Sequence, residues 1–257
     1  MKNPLRIIVS GASSGIGFQL AKRYLEQGAV VGVISRQTEK LRFFEQNWPD
    51  SVRVYSADVR DLHALQLAAA DFMSRFGCPD IVVANAGISC GTLTEHAADI
   101  EVFQAIFDTN VVGMAKTFQP YLGEMKSRGH GKLVGIASIA GFRGLPGASA
   151  YSSSKAAVIN YLAALRCESF GTGIRVITIC PGYVETPMTY SNPYPMPFLV
   201  RADLAARMIE SAIARNRIFY AFPWQMMLIG KLLGILPKRL HAFLFSRAPH
   251  KPRRPDQ

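Results

Sequence analysis

The chain has 257 residues, 49% of them hydrophobic and 18% charged, with a formal net charge of +11. That composition excludes a chain disordered throughout and suits one large α/β domain. Seven Lys/Arg and a single acid fall between residues 231 and 257, so more than half of the excess charge belongs to the end of the chain, and the body does not read as a nucleic-acid-binding fold.

One Lys and one Pro precede the first apolar run, so no signal peptide is expected. Val/Ile-rich runs at 6–10, 30–34, 52–56, 80–84, 132–137 and 174–180 read as strands buried on both faces. Helical stretches fall between them at 16–27, 39–46, 62–76, 99–126 and 153–170. This alternation predicts a doubly wound parallel sheet, three layers α/β/α, of the Rossmann type. Right-handed crossovers bring the C-terminal ends of the strands to one edge, where ligands bind. A loop at 190–198, a helix at 201–214 and a strand at 217–221 follow. The reading divides the chain into a nucleotide-binding domain at 1–221, an apolar and basic helical extension at 222–248, and a disordered basic tail at 249–257. Cys78, Cys90, Cys167 and Cys180 show neither CxxC spacing nor a His at metal-ligand spacing, so no metal site is expected. Reduced thiols point to the cytoplasm, and Cys180 reads as a small core residue.

Between the first strand and first helix lies Ser10-Gly11-Ala12-Ser13-Ser14-Gly15-Ile16-Gly17. Glycine permits positive φ and close backbone approach, and the free N–H groups of a helix start attract a pyrophosphate. Alone, such a turn can be purely structural, and its GxxxGxG spacing departs from the GxGxxG fingerprint. NAD sites usually carry an acid at the end of the second strand for the ribose 2′-hydroxyl. Ser35 and Arg36 stand there instead, which suits the 2′-phosphate of NADP. The other reading of Arg36 is a solvated residue opening the next helix. Asp58 and Val59 are placed to flank the adenine, although Asp58 and Asp61 are both good helix caps.

Over about residues 4–220 the sequence resembles the short-chain dehydrogenase/reductase family. The resemblance rests on Gly11, Gly15 and Gly17, Asn85-Ala86-Gly87, Asn110, Ser138, the Tyr151-Ser-Ser-Ser-Lys155 run, and Pro181-Gly182 with Thr186. Ser10 stands where the family often has Thr, and Ala84 where it often has Asn. The resemblance implies a dinucleotide lined by Asn85, Ala86 and Gly87, with Lys155 on the nicotinamide ribose. It implies that Pro181, Gly182, Val184 and Thr186 meet the carboxamide, and that Asn110 seats a water leading from Lys155 to solvent. It also suggests a dimer or tetramer.

Tyr151 and Lys155 lie four apart in a helical stretch and share a face. A phenol is a poor acid at neutral pH, and a neighbouring ammonium should lower its pKa. Such a pair also occurs on ordinary helix surfaces. Ser138, at the end of the fifth strand, can donate to a substrate oxygen. Together these residues predict hydride transfer between NADP(H) and a carbonyl or alcohol, with Tyr151 as acid/base. Reduction is the expected direction. The rival reading is an NADP-binding sensor or scaffold without turnover.

Residues 187–199 carry Met188, Tyr190, Tyr194, Met196 and Phe198, which suit a lipophilic substrate or simply pack a lid shut. The apolar stretch 222–245 is broken by Lys231, Pro237, Lys238 and Arg239, too soon for a spanning helix. It reads either as an interfacial helix on the cytoplasmic face of a membrane, contacting it through 222–254, or as a cover for the pocket or a partner subunit.

Overall fold

The β-branched runs form the expected strands because each is short, lacks a solvent-facing alternation, and ends at a turn. The computed structural model describes residues 4–190 and 192–253. Six strands lie within a residue or so of their expected ends: β1 (Arg6–Ser10), β2 (Val30–Ser35), β3 (Val52–Ser56), β4 (Ile81–Ala84), β5 (Gly131–Ile136) and β6 (Ile174–Pro181). The last strand of this sheet, β9 (Phe219–Phe222), begins two residues later than the sequence suggests. All are parallel, in the order β3-β2-β1-β4-β5-β6-β9. The winding reverses between β1 and β4, which opens a crevice at the strand C-termini.

Alternate residues of the strands feed two cores. Ile7, Val9, Val31 and Val33 pack with α1 (Gly15–Glu26), α2 (Arg42–Asn47) and α8 (Ala202–Ala214) on one face. Ile8, Ile34 and Val82 pack with α3 (Leu62–Phe76), α5 (Gly113–Arg128) and α6 (Ser149–Glu168) on the other. Between them the two faces account for the doubly wound, three-layer arrangement. A short parallel pair, β7 (Val184–Glu185) and β8 (Val200–Arg201), brackets the loop that begins with α7 (Pro187–Tyr190).

The structure departs from the sequence reading in three places. The helix expected at 99–126 is α4 (Ala98–Phe107), a π-helical turn at Asp108–Val112, and α5. Its extra residue in the turn brings Asn110 inward to Ile88. Helix α6 starts four residues before the expected 153 because Thr92, distant in sequence, takes the place of a local cap: Ala150 N–H donates to Thr92 Oγ1 at 3.3 Å. The end of the chain, expected to be disordered, is laid against the body through Arg253. Gly91 N–H donates to Pro252 O at 2.9 Å, and Arg253 forms a two-toothed pair with Asp99 at 2.8 and 3.0 Å. Both contacts are non-local, so basic, Pro-rich composition hid them. Residues 254–257 of that expected tail lie outside the described residues.

The apolar extension forms α9 (Trp224–Ile235) and α10 (Lys238–Phe245), separated at Pro237. Among the described residues, no helix is long and apolar enough to cross a membrane.

Candidate active site

The crevice at the strand C-termini begins at the glycine turn. Gly11 and Gly15 adopt φ of +67° and +56°, a region that other residues enter only with strain. A Cβ on Gly11 would stand 2.7 Å from Ala86 Cα, and one on Gly17 would overlap Gly11 O and the Asn85 amide. The turn is thus pressed against the segment after β4. Ser10 makes the joint: its Oγ accepts from Asn85 N–H at 3.2 Å and Ala86 N–H at 3.3 Å, while Asn85 Nδ2 donates to Ser10 O and Gly11 O, both at 3.1 Å. Ser14, at the start of α1, makes no side-chain cap, so the first-turn amides face the crevice without one.

At the far end, Ser35 Oγ accepts from Gln37 N–H at 3.2 Å and holds the chain after β2. Asp58 is gripped by Arg60, with the closest contact at 2.7 Å, whereas Arg36 approaches it only to 3.7 Å and is mostly exposed. The Arg60 hydrogen bonds hold the Asp58 carboxyl below its usual range, against the effect of burial. Asp61, not Asp58, caps α3, accepting from Ala64 N–H at 3.1 Å. This separates the two roles that the sequence left open for Asp58.

At the near end, Tyr151 lies in the first turn of α6 and Lys155 one turn on. Lys155 is buried, donates to Ile136 O at 2.8 Å, and sits 5.8 Å from the Tyr151 ring centroid. Burial lowers the Lys155 pKa to about 8. Burial likewise raises the Tyr151 pKa, opposed by the neighbouring Ser138 hydroxyl and reinforced by Cys180. The lowered phenol expected from the sequence is therefore not a property of the protein alone: burial sets the direction. Ser138 Oγ accepts from Ala140 N–H at 3.1 Å and donates weakly to Pro181 O at 3.4 Å.

Asn110 is wholly buried, and three of the four hydrogen-bond positions of its amide are taken. Oδ1 accepts from Ile88 N–H at 2.8 Å, and Nδ2 donates to Ile88 O and Ser154 Oγ, both at 3.0 Å. The side chain ties Ile88 to Ser154.

One crevice of about 240 Å³ gathers Gly11, Ser13, Ser14, Gly15, Ile16, Ser35, Arg36, Asp58, Val59, Asn85, Ala86, Gly87, Ser138, Tyr151, Lys155, Pro181, Gly182, Val184 and Thr186. Gly17 and Asn110 lie behind this lining. Among the described residues, no cluster of His, Cys, Asp and Glu could hold a metal.

A sequence model described as short chain dehydrogenase matches residues 6–194. The chain belongs to the short-chain dehydrogenase family. It is 37% identical over 236 residues to an uncharacterized oxidoreductase of Myxococcus xanthus (strain DK1622), covering 91% of this chain and 93% of that one. A short-chain dehydrogenase structure from Streptomyces avermitilis superposes with a TM-score of 0.80 at 27% identity, covering 95% of this chain and 97% of that one. A structure of a single-substitution variant of the actinorhodin polyketide ketoreductase with NADPH gives a TM-score of 0.76 at 30% identity, covering 86% and 96%.

In this short-chain dehydrogenase a second cavity, of about 290 Å³, adjoins the crevice and shares Ser138, Tyr151, Gly182, Met188 and Thr189 with it. Its walls include Tyr194 and Pro197 of the loop, Met226, Ile229 and Leu233 of α9, and Phe245 of α10. The extension therefore covers a pocket with one of its faces. Sequence reasoning gave no role to Ser10, Ile88, Thr92 or Ser154, whose work is done through contacts between distant segments. It also missed Thr189, whose hydroxyl donates to Val184 O at 2.7 Å and ties down the chain after β7. A hydroxyl three residues after Thr186 was the only local signal.

Proposed function

We propose that this protein transfers a hydride between NADP(H) and the carbonyl or secondary alcohol carbon of a lipophilic substrate, with Tyr151 as the acid/base. The observation that carries this reading is the wall common to the two cavities. Tyr151 and Ser138 stand on it, between a crevice suited to a dinucleotide and a cavity suited to an apolar ligand.

The crevice residues fit the dinucleotide. Gly15 has a positive φ, and a Cβ there would meet Thr186 at 2.8 Å, narrowing the floor beside the uncapped start of α1 where a pyrophosphate would sit. The loosely paired guanidinium of Arg36 suits a 2′-phosphate, since Arg60 already satisfies Asp58. The NADPH held by the actinorhodin ketoreductase supports the same choice. When bound, the nicotinamide would supply or accept the hydride.

The remaining chemistry belongs to the chain. Ser138 exchanges its weak bond to Pro181 O for the substrate oxygen. As the carbonyl carbon gains hydride, the Tyr151 hydroxyl gives its proton to that oxygen and becomes phenolate. The Lys155 ammonium, beside the same ring, stabilises that charge. Seating a ribose diol at Lys155 supplies hydrogen-bond partners that favour its charged form. Asn110 is a positioning residue that fixes Ile88 and Ser154. Tyr151→Phe should lower NADPH-dependent carbonyl reduction by orders of magnitude and leave NADPH binding intact. Turnover equal to that of the parent protein would refute the assignment.

The outer faces of α9 and α10 carry Trp224, Leu228, Leu232, Ile235, Phe243 and Leu244, all exposed, and residues 224–253 contain no acid. This combination suits an anionic lipid surface. Co-sedimentation with phosphatidylglycerol vesicles tests it. Absence of binding alongside a concentration-dependent dimer would assign the face to a second subunit.

A further inference from the structure

The second cavity is lined mainly by apolar side chains. Among the described residues, Arg143 and Lys251 are the charged ones in its lining, and none of these residues is a carboxylate. Arg143 donates to Leu236 O at 3.2 Å. Lys251 has no hydrogen-bond or ion-pair partner among the described residues, although its Nζ lies 5.8 Å from the Tyr151 ring centroid. Burial pushes its pKa down, as expected for an ammonium drawn away from water without an anion. Ser89 lines the same cavity, and its Oγ is buried without a partner among the described residues.

This arrangement is built rather than incidental. Residues 250–252 lie against two glycines. A side chain on Gly91 would overlap Lys251 O, and one on Gly147 would stand 2.6 Å from His250 Cβ. Gly91 N–H holds Pro252 O, and the Asp99–Arg253 pair locks the next residue. Asp99 is buried and also accepts from Leu93 N–H at 2.7 Å, so the anchor is itself fixed. The backbone of the segment is therefore fixed where Lys251 joins the cavity lining. An ammonium and a hydroxyl that line one cavity without partners among the described residues are groups that a bound anion would satisfy.

We infer that the substrate is an amphiphilic anion, its apolar chain lodged against α9, α10 and the 192–197 loop and its anionic end held by Lys251 with Ser89. The inference rests on the proposed reading of Tyr151 and Ser138 as the reacting end of this cavity, but the anion site can be measured without turnover. A carboxylate and a phosphate share the required chemistry.

The experiment is titration calorimetry on the full chain with decanoate, decyl phosphate and methyl decanoate, comparing the parent protein with Lys251→Met and Arg253→Ala. The parent should bind at least one of the two anions more tightly than the neutral ester. Lys251→Met should weaken that anion about tenfold to a hundredfold and leave the ester within about twofold. Arg253→Ala, which frees the segment while keeping the lysine, should give a smaller loss in the same direction. Which anion binds better identifies the end group. Equal affinity for anions and ester in the parent, or an equal loss for both in Lys251→Met, would overturn the proposal. Melting temperatures of the variants exclude loss of fold as the cause. Lys251-dependent anion binding without any carbonyl reduction would instead count against the proposed activity and leave the site standing.

Discussion

Replacing Asn110 with Ala should damage the fold before it damages the chemistry. The substitution removes three hydrogen bonds of 2.8–3.0 Å at a fully buried position. Ser154 Oγ keeps its bond to Tyr151 O at 2.8 Å, but the Ile88 N–H and C=O lose their Asn110 partners. Each net hydrogen bond contributes about 1 kcal/mol, and a stranded buried group adds about 1–3 kcal/mol. A loss of about 2–4 kcal/mol follows if a water recovers part of the deficit. For a chain of this size that corresponds to a melting temperature lower by about 5–15 °C. Thermal unfolding followed by circular dichroism, without cofactor, measures it, and faster hydrogen exchange at the Ile88 amide would localise it. A variant that melts within about 2 °C of the parent yet has lost turnover would refute the reasoning, because Asn110 would then act on the reaction and not on Ile88.

Arg36→Ala should raise the KM for NADPH about tenfold to a hundredfold and leave that for NADH within about twofold, since one charge-assisted contact is lost to the 2′-phosphate alone. Equal effects on both cofactors in steady-state kinetics would remove Arg36 from that role. Lys155 has a folded-state pKa of about 8 against an ordinary 10.5. Between those values the unfolded chain holds a proton that the folded chain has released, so stability from this site rises with pH across that window, by about 3 kcal/mol. Lys155→Met lacks this dependence, and the stability of the parent relative to it should climb from pH 8 to 10.5 in urea titrations without cofactor. A flat or falling difference would show that the buried lysine stays charged.

The sheet was legible because six Val/Ile runs had no other plausible use, and the strand ends moved little. The crevice was legible because its residues belong to short local patterns, such as Gly11 to Gly17 and Tyr151 to Lys155. What stayed hidden was whatever depended on meetings across the chain. Thr92 capping α6, Ser10 joining two turns, and Arg253 reaching Asp99 involve separations of dozens of residues or more, with no periodicity to announce them. The Tyr151 pKa went the other way from expectation for a related reason. Spacing reveals that a lysine is close, whereas burial, set by the whole fold, decides the sign.

The π-helical turn at Asp108–Val112 fixes the length of this part of the chain in an unusual sense. Its hydrogen bonds close over one residue more than those of an α turn, so the extra residue is absorbed locally and the helix that follows keeps its phase. Deleting one residue would restore ordinary α register and leave Phe118, Tyr121 and Met125 facing the sheet. The loss would fall instead on Asn110, which the bulge sets against Ile88 and Ser154.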